Sequence, residues 1–136
     1  LAKFLIKEGY TMIKPKIIIS NEDYDALQAM LEKETFMPSH DLLIAELDRA
    51  KIVAKVKLPN NVVRMNSTVT FTMLSTQKTF SLKLVYPKDT KESGTLSILT
   101  PVGSALIGLS IGQEIEWPIE NNKTTVVHID SIDCTD

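Results

Sequence analysis

The two histidines, the single cysteine and the glycines at 103 and 108 are the residues of this 136-residue chain from which a reactive site would first be assembled. His128 and Asp130 stand two apart in a stretch that alternates apolar and polar residues, so a strand would set both on one face. A zinc centre takes three or four ligands and this pair supplies two, so the expectation is a solvated strand face and no metal. Gly103 and Gly108 have the spacing of the two glycines of a phosphate loop, but Leu109-Ser110 follows where such a loop carries Lys and Ser or Thr. Nothing there would neutralise a phosphate. No serine, threonine or cysteine lies in a nucleophile motif, so covalent catalysis has no support and no cofactor is expected. Cys134 is the only cysteine, which rules out an intramolecular disulfide and a cysteine metal cluster and fits a reducing compartment, the cytoplasm.

With 43% hydrophobic residues, a chain of this length can bury one core, or a small core plus an appendage. The net charge is only -2, so the chain as a whole has no electrostatic footprint for nucleic acid. The charge is unevenly spread, however. Between Asn21 and Asp48 the acids Glu22, Asp23, Asp25, Glu32, Glu34, Asp41, Glu46 and Asp48 face one base, Lys33. Arg49, Lys51, Lys55, Lys57 and Arg64 follow with no acid between them, which predicts a polarised molecule if the two parts fold separately. No apolar run approaches the roughly 18 residues of a membrane helix. Residues 1–15 read as an upstream extension or a segment added for expression, and no function is expected of them.

The elements that would hold any site follow from the periodicity. Ile17-Ile18-Ile19 is a β-branched run ending at Ser20, a good N-cap, and acids in the next turn predict a helix over residues 21–33. Tyr24, Leu27, Met30 and Leu31 give that helix one apolar stripe. Ser39 is expected to cap a second helix running to about Val53, with Leu43, Leu47 and Ala50 inward and Glu46 and Arg49 paired on the opposite face. Residues 16–57 therefore predict an antiparallel helical hairpin, a short coiled coil. From Leu58 the period changes from 3.6 to 2. Val69, Phe71 and Met73 alternate with threonines, and Phe80, Leu82 and Leu84 alternate with Ser81 and Lys83; further strands are expected at 95–99, 114–117 and 124–132. Residues 58–136 thus predict a small antiparallel sheet with one short helix and a core of its own, an α+β arrangement.

That short helix lies in Ser97-Ile98-Leu99-Thr100-Pro101-Val102-Gly103-Ser104-Ala105-Leu106-Ile107-Gly108-Leu109-Ser110-Ile111-Gly112. Thr100 is an N-cap, Pro101 suits the first helical position, and Gly108 and Gly112 supply positive-φ turns. The order of strand, Thr, Pro, Val, Gly, small, Ala, Leu, Ile, Gly and a second Gly before a strand resembles the C-terminal domain of the bacterial Gre transcript-cleavage factors. Ala45-Glu46-Leu47-Asp48-Arg49-Ala50, Val62-Val63-Arg64-Met65-Asn66-Ser67 and Leu84-Val85-Tyr86-Pro87 extend the resemblance to a shorter branch, the regulators of nucleoside diphosphate kinase. It covers residues 16–132.

The resemblance implies an FKBP-like sheet domain that docks on RNA polymerase, with Leu99, Thr100 and Pro101 where Gre domains contact the polymerase rim helices. Thr100 and Pro101 equally make a helix start, and one loop can do both. Gre factors that provoke RNA cleavage carry two acids three residues apart at the hairpin tip, where they help hold a catalytic Mg²⁺. Here the matching stretch is His40-Asp41-Leu42-Leu43-Ile44-Ala45-Glu46: Asp41 fits the first acid, but Ile44 has no oxygen to offer a hard cation. The tip acids Glu34 and Asp41 are left with a role in polymerase binding, or, for Asp41, with favouring its helix N-terminus. A 13-residue helix rises only ~20 Å, short of the long hairpin of the cleavage factors. The implied function is a non-catalytic regulator, expected as a monomer, that binds core RNA polymerase at its secondary channel and competes with Gre factors. Direct nucleic-acid contact is not expected of so acidic a hairpin. The alternative is a peptidyl-prolyl isomerase, suggested by the FKBP-like sheet alone. A third reading, direct binding to nucleoside diphosphate kinase, follows only from the branch's name.

Overall fold

The computed structural model of the protein describes residues 6–7, 10–11, 15–33, 37, 40–118 and 123–134. Strands β1 (Ile6–Lys7) and β2 (Tyr10–Thr11) pair antiparallel. The chain then enters β3 (Ile18–Ser20), α1 (Asn21–Lys33), α2 (His40–Arg49) and β4 (Lys51–Val53). Ser20 Oγ accepts from the Asp23 amide at 3.1 Å, which fixes the start of α1 as its residue type predicts. The second helix stops at Arg49 rather than Val53, because Ile18, Ile19 and Ser20 pair in parallel with Lys51, Ile52 and Val53. Parallel strands need a long crossover, and the two helices supply it. Ser39 and Glu34 lie outside the described residues.

The second part is a five-stranded sheet in the order β7-β6-β5-β9-β8, built from β5 (Ser67–Met73), β6 (Lys78–Val85), β7 (Thr95–Ser97), β8 (Glu114–Pro118) and β9 (Thr124–Cys134). All pairs are antiparallel except β6 with β7. The expected all-antiparallel sheet is thus mixed. A connection through the turn at Pro87–Asp89 carries the chain from the end of β6 back beside its last three residues, Lys83–Val85, so β7 runs alongside in the same direction. A register shift opposite Thr70 and Phe71 marks a bulge in β9, where Asp130 is the extra residue between Ile129 and Ser131.

Helix α3 (Pro101–Leu106) lies between the two parts, and Gly103 through Leu109 are all buried. Helix α2 packs against α3, and α1 against β3 and β4. Ile17, Ile19, Leu27, Leu43 and Leu47 belong to the same buried cluster as Val69, Leu84, Leu106 and Ile129. The expectation of a sheet with a core of its own is corrected, since helices and sheet share one buried cluster. The buried residues of the two helices, Leu27, Leu43 and Leu47, join the same cluster as those of α3 and the sheet.

The charge separation read from the sequence is likewise reduced at this junction. Arg49 meets buried Glu46 at 2.9 Å and also donates to the Pro15 carbonyl, while Lys55 Nζ lies 3.6 Å from Glu22. The acidic and basic stretches fold against each other. Deleting residues 16–54 removes five members of the shared cluster and is expected to abolish cooperative thermal unfolding, followed by circular dichroism. A single sharp transition in the truncated chain would show the sheet to be self-sufficient.

Candidate functional site

The loop between β7 and α3 is organised by two hydroxyls. Ser97 Oγ accepts from the Leu99 amide at 3.1 Å, and the Thr100 hydroxyl donates to the Ser97 carbonyl at 2.7 Å while accepting from the Gly103 amide at 3.0 Å. Thr100 thereby closes the helix start with extended backbone (φ -74°, ψ 155°). Pro101 follows at the first helical position and is exposed, whereas Leu99 is half-buried and packs on the core. Of the three residues expected to dock, Thr100 is engaged in capping and Pro101 presents its ring to solvent. Behind them, Ser104 donates to the Ile98 carbonyl at 2.9 Å. A side chain at Gly103 would start 2.1 Å from the Ser97 carbonyl oxygen, so this helix lies against its own preceding strand only because residue 103 is glycine.

Beside this loop the apolar face of the sheet is incompletely covered. Phe71, Phe80, Leu82, Leu96, Val102 and Leu106 line an open cavity of about 200 Å³. Leu96 and Val102 flank the Leu99–Pro101 loop in sequence, so the loop and the cavity share a border. Phe71 and Phe80 stack with centroids 5.6 Å apart, but only Phe71 is buried; Phe80 is 37% exposed at the cavity mouth. Alternation sets both on the apolar faces of their strands. It reports the face of a strand and carries no information on where the covering helix ends.

The acids of the hairpin are arranged differently from a metal site. Asp41 is exposed in the first turn of α2, and Ile44 is exposed at 37% in the same helix. Glu34 lies outside the described residues, so no geometry joins it to Asp41. Among the described residues, no group of three or more His, Cys, Asp and Glu side chains is gathered as a cation would require. On the sheet's open face, His128 Nδ1 lies 2.8 Å from Asp130 Oδ1, and Thr72 donates to the other Asp130 oxygen at 2.5 Å. The Thr72 hydroxyl, then the His128 contact, hold the Asp130 carboxyl below the ordinary range. His40 is buried and accepts from the Met37 amide through Nδ1 at 3.4 Å.

One carboxylate that sequence reading used only for its helix is structurally central. Asp23 Oδ2 accepts from the Met65 amide at 3.1 Å, tying the first turn of α1 to the entry of β5. Burial raises its pKa, against the lowering effect of that hydrogen bond and of Arg64. Burial and then the Asp23 charge push the Tyr86 phenol up to about 12. Because the Asp23 carboxyl titrates above its ordinary 3.8, its contribution to stability is fully present below that value and declines as pH rises through the folded pKa. Asp23→Asn keeps an acceptor for Met65 and removes the buried charge, so it is expected to flatten this part of the pH profile, matching the wild type at low pH and exceeding it in stability at pH 7. Asp23→Ala leaves a buried amide unpaired and is expected to cost about 1–3 kcal/mol in denaturant unfolding. Equal effects of the two substitutions would contradict the assignment. For the loop, Thr100→Ala is expected to cost about 0.5–2 kcal/mol and Thr100→Ser much less, measured the same way.

Comparison with known proteins gives matches to both parts of the chain. Residues 58–133 match the family model "Transcription elongation factor, GreA/GreB, C-term", and residues 15–53 match "Rnk N-terminus". The chain is 38% identical over 121 residues to the regulator of nucleoside diphosphate kinase of Escherichia coli (strain K12), covering 87% of this chain and 89% of that protein. It is 30% identical over 105 residues to the transcription elongation factor GreA of Helicobacter hepaticus, covering 76% of this chain and 63% of that one. Among solved structures, the prokaryotic transcription elongation factor GreA/GreB from Nitrosomonas europaea superposes with a TM-score of 0.72 at 48% identity, over 89% of this chain and all of that one.

Proposed function

We propose, from the premise that the chain belongs to the GreA/GreB family and within it to the Rnk type, that it binds core RNA polymerase at the secondary channel and regulates transcription without chemistry of its own. In this reading residues 58–136 form an FKBP-like docking unit and residues 16–57 project from it. The relatives are regulators and transcription factors by name, and no group of three or more metal-ligating side chains is gathered among the described residues. No helix of the described residues is long and apolar enough to cross a membrane. The cytoplasm, where polymerase works, is the proposed compartment.

The observation that carries the reading is the surface formed by the Leu99–Pro101 loop and the cavity beside it. An exposed proline on a rigid, capped turn next to unfilled apolar surface suits a protein partner. Docking there would direct α1 and α2 toward the channel. The tip then acts by occupancy and charge, since Ile44 stands where a second cation ligand would be needed and α1 spans only ~20 Å at 1.5 Å per residue. The prolyl isomerase alternative draws nothing from the cavity, whose lining side chains are all apolar and offer no donor to a substrate carbonyl.

The chain is expected to co-elute with core RNA polymerase, to inhibit Gre-stimulated cleavage by competition, and to release no 3′ fragment from a backtracked complex by itself. Pro101→Ala is expected to weaken binding about tenfold with a small change in thermal midpoint. Asp41→Asn is expected to weaken inhibition more than binding. Normal binding by Pro101→Ala would refute the loop assignment, and transcript cleavage by the wild-type chain would refute the non-catalytic reading.

A further inference from the structure

The β6 strand is covered along only part of its outer edge. Strand β7 pairs with Lys83–Val85, and the Lys83 amide donates to the Gly94 carbonyl at 2.9 Å while the Val85 carbonyl accepts from Ile98 at 2.9 Å. Odd-numbered residues of β6 therefore turn their backbone groups away from β5; the Leu84 carbonyl, by contrast, accepts from Asn66 on the β5 side. Period two extends this to Thr79 and Ser81, whose amides and carbonyls point outward and have no partner among the described residues. Lys78 through Ser81 are exposed. An unpaired backbone row of this kind is a template for another strand.

The same stretch borders the apolar cavity. Phe80 and Leu82 lie on the cavity side of β6, while the Thr79 and Ser81 hydroxyls are engaged on the opposite face with Thr72 and Thr70. A strand laid along Thr79–Ser81 would place alternate side chains over the cavity, whose volume of about 200 Å³ accommodates one large apolar group. Charge selects the occupant. β6 carries Lys78 and Lys83 and no acid, so two copies of this edge would repel each other, whereas an acid-flanked segment is attracted.

We propose that the Lys78–Leu82 edge of β6 is a strand-addition site for an extended segment of a partner protein, with apolar residues at alternate positions and acidic ends. It goes beyond the polymerase reading, with which it shares the apolar cavity but not the Leu99–Pro101 loop, and it concerns a different recognition mode, one that uses the backbone edge of β6.

The test uses the full chain and a blocked peptide, acetyl-Glu-Val-Thr-Phe-Thr-Val-Glu-amide, followed by amide resonances and their exchange with solvent. Binding is expected to protect the Thr79 and Ser81 amides. Methylating alternate backbone nitrogens of the peptide is expected to weaken it at least about tenfold, and replacing both Glu ends with Lys about threefold or more. Ser81→Pro removes an outward amide and leaves the β5 ladder intact, so it is expected to weaken binding about tenfold, against less than about twofold for Ser81→Ala. If Ser81→Pro fails to fold, Thr79→Pro and the methylated peptide give the same discrimination. Equal binding of the methylated peptide, absence of binding, or protection of both amides in a peptide-free dimer would each overturn the proposal. Ser81→Pro is expected to leave co-elution with polymerase unchanged, so failure of this site and failure of the docking reading register in different assays.

Discussion

Two glycines let α3 be buried from both sides, and the rest of the molecule is arranged around that burial. At Gly103 the helix approaches its own strand, and a Cβ would lie 2.1 Å from the Ser97 carbonyl oxygen. At Gly108 the backbone has φ +80°, and a Cβ would lie 2.8 Å from that of Ile17. This second approach lets the Gly108 carbonyl accept from the Ile18 amide at 3.1 Å, while its own amide donates to the Val63 carbonyl at 3.0 Å. A larger residue at either position would have to separate α3 from the sheet or β3 from α3. The Gln113 side chain adds a further tie, accepting from Ser110 at 2.9 Å and donating to the Lys16 carbonyl at 3.2 Å.

The burial has a consequence for function. Leu99, Thr100 and Pro101 begin the same helix whose far end holds β3, and β3 leads directly into α1. Asp23 joins α1 to Met65 at a second point, and the Glu46–Arg49 pair with Pro15 joins α2 to the incoming chain at a third. The helices are therefore fixed in direction relative to the loop. The proposed function draws on this rigidity, because a freely jointed hairpin would lose conformational entropy on inserting into a channel.

What the sequence disclosed and what it concealed divide by the range of the interaction. The capped α3, the proline at its start, Ser20 before α1 and the positive-φ glycines at 108 and 112 are local, and each residue type carries its own reason. Strands β5 and β6 were legible from alternation, and β7, β8 and β9 lie close to the stretches expected for them. The parallel pairing of β3 with β4 was not, because three-residue strands separated by two helices leave no periodic trace, and Ile52-Val53 reads equally as the end of a helix. Glu46 and Arg49 pair as their spacing suggests, yet Glu46 is buried: nothing local reveals that the chain at Pro15 returns to cover that face. The loop residues of the candidate site were legible through their motif. The cavity and the open edge of β6 were hidden, since both depend on how far β7 and α3 extend across the sheet.

The central claim is that α3 makes the helices and the sheet one cooperative unit, so that loop and hairpin move together. Native-state hydrogen exchange in increasing denaturant tests it most directly, by comparing the Ile18 amide, bonded to Gly108, with the Phe71 amide at the centre of the sheet. The account predicts that the two converge on one opening free energy with the same denaturant dependence. If Ile18 and the buried amides of α1 instead exchange through a smaller opening while Phe71 stays protected, the helices form a separable appendage and the claim is wrong.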